Sequence, residues 1–241
     1  MNILEERLSP EVLAEARNLA ASILDPNTAT RSEIWKSVWD KPLYANTKVT
    51  TAHRWIKEIE PFRDEALLSW GERDGELYIE KIGPGTKRDS FRISGRASNE
   101  LLSRTQVARH RLFGIQGAAV AMRAMPYDAP FERLAAQPLD LAISNIQRAY
   151  GGGWGPISVL HALTDLGLAV KPDIHLVRSA RAIGLLENCH VSVKPDFKQL
   201  LEINRRVGLL CHEKFGDRSG RNLRYLDKVL MEISRCGMLT D

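Results

Sequence analysis

Apolar positions along most of the chain recur at the three- and four-residue spacing of amphipathic helices, not the two-residue spacing of strands. Residues 10–24 predict a helix, with Pro10 in the first turn and Leu13, Ala16, Leu19, Ala20 and Ile23 on one stripe. A second helix is expected over 31–39. A third starts near Thr51 and must end before Pro61, which lacks the N–H that would continue the ladder but can open the next segment, closed by Gly71. The pattern then changes. Residues 76–82 and 90–93 are β-prone runs flanking Gly83-Pro84-Gly85, behind an Asp74-Gly75 turn, and they read as a small β-hairpin at about 76–94. Helical spacing resumes from Ala97, and 109–125 carries Gly114 and Gly117, whose missing side chains allow close helix packing. The fold class is mainly α with one small β-hairpin.

The chain has 241 residues, 44% of them hydrophobic and 27% charged, enough for a sizeable core in one large domain or two small interleaved ones. No run approaches ~20 apolar residues, so no transmembrane helix and no membrane partner is expected. The first twenty residues carry acids where a signal peptide would carry cations, and three cysteines cannot build a disulfide framework. A cytoplasmic protein is expected. The net charge is only +4, yet residues 81–123 hold nine cations (Lys81, Lys87, Arg88, Arg92, Arg96, Arg104, Arg109, Arg111 and Arg123) against two acids. Such segregation can present a positive face to nucleic acid; it is equally what a solvated helix face looks like.

Residues 139–150 place Leu139, Ala142, Ile143, Ile146 and Ala149 at helical spacing, and the segment breaks at Gly151-Gly152-Gly153-Trp154-Gly155. A second helix follows, with Pro156 in its first turn, Val159, Leu160, Leu163 and Leu166 inward and Gly167 at its end. Glycines permit the positive φ of a tight turn and let a backbone approach a ligand closely. The free N–H groups at the start of the second helix suit a phosphate, so the turn can hold a DNA strand without reading its sequence. A plain helix connection has the same composition. Trp154 either touches the DNA backbone or packs beneath the turn.

Downstream, Lys171-Pro172-Asp173 opens another helix, with Asp173 as its cap and Ile174, Val177 and Ile183 facing inward. Lys194-Pro195-Asp196 repeats the tripeptide, so that motif alone specifies a helix start and nothing more.

Taken together, the helix, the GGGWG turn, the second helix ending at Gly167 and the stretch PDIHLVRSARAIGL resemble the helix-hairpin-helix DNA glycosylase superfamily. There an aspartate follows the hairpin in a stretch like D-x-H-x-x-R-x-x-x-x-x-G-L, which Asp173, His175, Arg178, Gly184 and Leu185 match. The match spans about residues 139–186. It implies two helical subdomains around a cleft, with residues 1–95 an N-terminal helical segment, 96–188 the hairpin-bearing core and 189–241 C-terminal helices completing the other subdomain. It further implies a DNA glycosylase that hydrolyses the N-glycosidic bond of a damaged or modified base flipped out of double-stranded DNA. On this reading Asp173 is catalytic: its carboxylate stabilises the charge developing on the sugar and orients or deprotonates the attacking water. Gly151, Gly152, Gly153, Trp154, Gly155 and Arg178 contact DNA, while Lys171 and His175 are further candidates.

Members that also nick the strand carry a lysine near the start of the second hairpin helix. Here Pro156, Ile157 and Ser158 stand there, so a monofunctional enzyme is expected, with Lys171 as a possible surrogate amine. Four thiolates for an iron–sulfur cluster are absent, and no cofactor is expected. Cys189-His190, Cys211-His212 and Cys236 supply zinc-type ligands without zinc-type spacing, so no metal is expected either. The tryptophans at 35, 39, 55 and 70 fall on amphipathic helices and read as core, with the lining of a base pocket as the alternative for one of them. The chain is expected to act as a nucleoid-associated monomer. Alkylated purines, oxidised purines, modified cytosines and hypermodified phage bases all stay open as targets. A non-catalytic DNA-binding protein built on the same hairpin is the competing reading.

Overall fold

The computed structural model of the protein describes residues 5–6, 8–45, 47–125, 136–187, 191 and 194–236. It is mainly helical with one two-stranded antiparallel sheet, and the chain divides into two compact units, residues 26–159 and residues 1–25 with 160–241. This division departs from the sequence-based ranges 1–95, 96–188 and 189–241. The reason is that α1 (Pro10–Ala21) packs against the last helix of the chain, α12 (Gly220–Arg235), and so joins the C-terminal half.

The unit of residues 26–159 contains α2 (Arg31–Val38), α3 (Lys41–Tyr44), α4 (Val49–Ile59), α5 (Arg63–Ser69), strands β1 (Tyr78–Lys81) and β2 (Phe91–Ser94), α6 (Ser98–Arg104), α7 (Arg109–Ala124) and α8 (Leu139–Tyr150). Helix α2 starts on a capping box, in which the Thr30 hydroxyl accepts from the Glu33 N–H and Glu33 accepts from the Thr30 N–H. Pro61 sits in a 3₁₀ turn that leads into α5, as its missing N–H allows. The hairpin pairs Tyr78 with Ser94 and Lys81 with Phe91.

Helix α7 is the spine of this unit. Its Leu112, Ile115, Ala118, Ala119 and Met122 are fully buried, a stripe at the helical period that stabilises at ~1.5–3 kcal/mol for each large side chain. Trp35, Trp39 and Trp70 are core, as expected; Trp55 is half-buried with the Arg111 guanidinium over its ring.

The other unit gathers α1, α10 (Ile174–Ala182), α11 (Phe197–Phe215) and α12 around a core that includes Ala16, Leu176, Val177, Ala180, Ile203, Val207, Leu226 and Leu230. Both Lys-Pro-Asp tripeptides do start helices: Asp173 caps α10 and Asp196 caps α11. Helix α9 (Pro156–Asp165) carries the chain from one unit into the other. Two packing expectations need correction. Ile174 is 40% exposed, since at the first helical position it has no preceding turn to pack behind it. Ala149 is exposed and Tyr150 buried in its place, which turns the stripe of α8 to Ala142, Ile143, Ile146 and Tyr150.

Candidate functional site

The glycine turn is built on α8 and laid against α7. Gly151 ends α8 with φ 73° and ψ −148°, a backbone region open essentially to glycine alone, and Gly153 follows at φ 99°. Trp154 fixes the turn from below. Its ring is buried, its indole N–H donates to the Gly114 carbonyl at 2.8 Å, and it meets Tyr150 edge-on at 4.7 Å between centroids. Gln147 donates to the Trp154 carbonyl from the last turn of α8. Of the two readings of Trp154, this geometry favours packing beneath the turn over contact with a ligand.

Gly114 and Gly117 explain how α7 comes so close. A Cβ at Gly114 would lie 3.2 Å from the Gly152 carbonyl oxygen and 3.3 Å from Gly153 Cα, while one at Gly117 would run into the Tyr150 carbonyl. Gly151, Gly152, Gly153 and Gly155 are left exposed. The Gly155 carbonyl accepts the first α9 bond from the Val159 N–H, and Pro156 takes the first helical position. The leading N–H groups of any helix lack intrahelical acceptors, and here they sit beside an exposed, side-chain-free turn.

Three of the nine cations of 81–123 are turned onto carbonyls of the same chain. Arg111 donates to the carbonyls of Pro42, Leu43 and Ala45, Arg123 to those of Ala66, Leu67 and Trp70, and Arg109 to that of Phe91. These guanidiniums close helix and strand ends that would otherwise leave carbonyls unpaired. Arg92, Arg96 and Arg104 pair with Glu80, Glu76 and Glu100. Lys81, Lys87 and Arg88, around the hairpin loop, are exposed. The nine-cation stretch is therefore not one positive face.

Asp173 stands at the start of α10. Its Oδ1 accepts from the N–H groups of His175 and Leu176, both at 3.0 Å, and its Oδ2 lies 3.9 Å from the Lys171 ammonium. The Asp173 N–H closes a tight turn over Pro172 onto the Lys171 carbonyl at 2.7 Å. Asp173 and Lys171, the catalytic candidate and its companion, are thus brought together, with side chains 24% and 22% exposed. The His175 ring is engaged with the Ser234 hydroxyl at 3.3 Å, which supports a structural role. Arg178 is exposed on the same helix.

Sequence reasoning missed what holds this segment. The Val170 N–H donates to Asn204 Oδ1 and the Lys171 N–H to Asp227 Oδ1, both at 2.8 Å, so consecutive amides are pinned by side chains of α11 and α12. Asp227 also accepts from Arg224, which reaches Asp165 in turn. Burial pushes the Asp227 carboxyl up to about 6, against the lowering effect of Arg224 and Lys171. A signal existed: Asp227 interrupts the apolar stripe of Leu223, Leu226 and Leu230, where a charge needs a reason.

Cys189 and His190 lie outside the described residues. Cys211 is buried in the core, with its thiol pushed up to about 11 chiefly by burial. Among the described residues, no three His, Cys, Asp or Glu side chains converge on a metal-sized space. None of their helices is long and apolar enough to cross a membrane. No protein family, curated protein or solved structure matches this chain.

Proposed function

We propose that the chain is a helix-hairpin-helix DNA glycosylase that hydrolyses the N-glycosidic bond of a damaged or modified base and leaves an abasic site. α8, the glycine turn and α9 form the hairpin, which holds the backbone of the DNA. The observation that carries the reading is the state of the Asp173 carboxylate. One oxygen is fixed by two backbone N–H groups at a helix N-terminus, the other takes no part in that cap and lies 3.9 Å from the Lys171 ammonium, and the side chain is 24% exposed. A structural cap needs only the first oxygen. The second is available to stabilise positive charge on a deoxyribose and to take a proton from water. In that reaction water adds to the sugar C1′, and the base leaves with the bonding electron pair and is protonated. The flipped nucleotide that such chemistry requires costs least where pairing is already weak.

The test is base release. The protein is incubated with duplexes carrying alkylated, oxidised or deaminated bases and with phage-derived DNA bearing modified cytosine, and mass spectrometry reads what is freed. Asp173→Asn should lower release by at least ~10²-fold while DNA binding is retained. Undiminished release by that variant overturns the assignment of Asp173. Silence of the wild type across the panel, with tight duplex binding, supports the non-catalytic DNA-binding reading.

A second reading is favoured by one specific distance. Lys171 lies 3.9 Å from Asp173, close enough for its amine to reach the same sugar and form a Schiff base, which would add strand cleavage. Borohydride trapping of a covalent protein–DNA adduct, lost in Lys171→Gln, decides between the hydrolytic and the lyase forms.

A further inference from the structure

We propose that the loop of the β-hairpin, residues 82–89, is a second DNA-backbone contact that works together with the glycine turn, with Lys87 and Arg88 as its phosphate ligands. This rests on the nucleic-acid reading of the turn and extends it to an element that the resemblance does not cover.

The first turns of α7 stand between the hairpin and the turn: Arg109 holds the hairpin, and His110 and Phe113 reach both. Arg109 donates to the Phe91 carbonyl at 2.7 Å, at the start of β2. The His110 imidazole lies against the backbone of Thr86 in the loop, while the His110 carbonyl lies 3.2 Å from where a Gly153 Cβ would be. The Phe113 ring packs on Phe91 at 5.5 Å between centroids, and its edge lies 3.2 Å from where a Gly152 Cβ would be. Loop and turn are therefore neighbours, separated by the thickness of one residue.

The loop is also ordered in advance. The Ser90 carbonyl accepts from the Ile82 and Gly83 N–H groups, the Ser90 hydroxyl donates to the Pro84 carbonyl at 2.6 Å, and the Ser90 N–H returns to Lys87. Preordering lowers the entropy cost of binding. Lys81, Ile82, Lys87 and Arg88 are exposed there. Two acids lie near: Asp89 is exposed, and Glu80 is paired with Arg92. The loop is net positive, as a polyanion partner demands, and Ile82 at 50% exposure adds an apolar tip that can rest against sugar or a base edge. The charge complementarity and the neighbouring phosphate-suited turn commit the surface to duplex DNA.

The experiment measures binding of a fluorescein-labelled DNA duplex by anisotropy across a salt series, for the wild type, for Lys87→Ala/Arg88→Ala and for the charge-keeping swap Lys87→Arg/Arg88→Lys. The alanine pair should weaken binding on the order of ten-fold at low salt and flatten the salt slope by about 2, because each phosphate contact contributes about 0.9. The swap should restore both, and the thermal midpoint of each variant should match the wild type, because both side chains are exposed. An unchanged slope in the alanine pair overturns the proposal, as does a wild type that binds no duplex. Base release is assayed separately. A wild type that releases nothing but shows the loss of slope sinks the glycosylase reading and leaves the loop contact standing.

Discussion

Gly117→Ala tests the close packing of α7 on the glycine turn, and two physical arguments give it opposite signs. Alanine in a helix interior is favoured over glycine by about 1 kcal/mol, so intrinsic propensity alone makes the variant more stable. Packing opposes this. The added Cβ would run into the Tyr150 carbonyl, a backbone atom at the last residue of α8 that cannot swing aside as a flexible side chain would. Restoring normal contact requires α7 and α8 to separate on the order of 1 Å, because non-bonded atoms settle at ~3.5 Å. Overpacking of this kind costs about 1–3 kcal/mol, and it would also loosen the Gly114 contact with the turn and the Trp154 bond to the Gly114 carbonyl. The net expectation is a loss of about 1–2 kcal/mol, or a thermal midpoint lower by roughly 2–8 °C at this chain length. Gly155→Ala is the control: no atom lies within 4 Å of its added Cβ, so its stability should stay within about 0.5 kcal/mol of the wild type. Urea denaturation and differential scanning fluorimetry of both variants decide the matter. A Gly117→Ala protein as stable as the wild type, or more so, refutes the packing argument.

Two further substitutions probe the supports of the candidate residues. Trp154→Phe removes the indole bond to the Gly114 carbonyl and should cost about 1–2 kcal/mol in urea denaturation; no loss would mean that this bond does not anchor the turn. Asp227→Asn keeps an acceptor for the Lys171 N–H but cannot ionise. The Asp227 carboxyl is raised in the folded protein from an ordinary 3.8 to about 6, with Arg224, Lys171 and Asp173 as its charged neighbours. The folded state therefore holds its proton more tightly than the unfolded chain. The stability this confers is complete below pH ~4 and is lost as pH rises through about 6. Moving from pH 4 to pH 7 should shift the stability difference in favour of the asparagine variant by up to ~3 kcal/mol, and a pH-independent difference would contradict the burial of an ionising group there.

Much of the helical order was legible because local chemistry decides it. Pro10, Pro61 and Pro156 opened segments, Gly71, Gly151 and Gly167 closed them with positive φ, and Asp173 and Asp196 capped theirs. Gly114 and Gly117 marked a close approach without revealing its partner, which proved to be the glycine turn itself. What could not be read was long-range pairing. Nothing local tells that Pro10–Ala21 packs on Gly220–Arg235, or that Asn204 and Asp227 reach back to the amides before Asp173. Charge misled for a related reason. A count of cations does not say how many end on carbonyls of the same chain, and Arg109, Arg111 and Arg123 all do.

If the proposed DNA-binding reading holds, that inward use of arginine limits how steeply binding depends on salt. A face of nine free cations would give a salt slope near −8 at about 0.9 per contact, steep enough to abolish binding over a modest rise in ionic strength. Among the described residues, the exposed cations near the turn that make no ion pair are fewer: Lys81, Lys87 and Arg88 on the hairpin, and Arg148 in the last turn of α8. Backbone N–H groups at the turn add hydrogen bonds but no net charge, so they lend affinity with little salt dependence. The expected slope for the wild type on an undamaged duplex is accordingly about −3 to −4, with appreciable binding persisting at physiological salt. A slope near −8 would mean that cations beyond these four meet phosphates, the exposed and ion-paired Arg92, Arg96 and Arg104 before the carbonyl-bound Arg111 and Arg123, and the count of four free charges near the turn would fail with it.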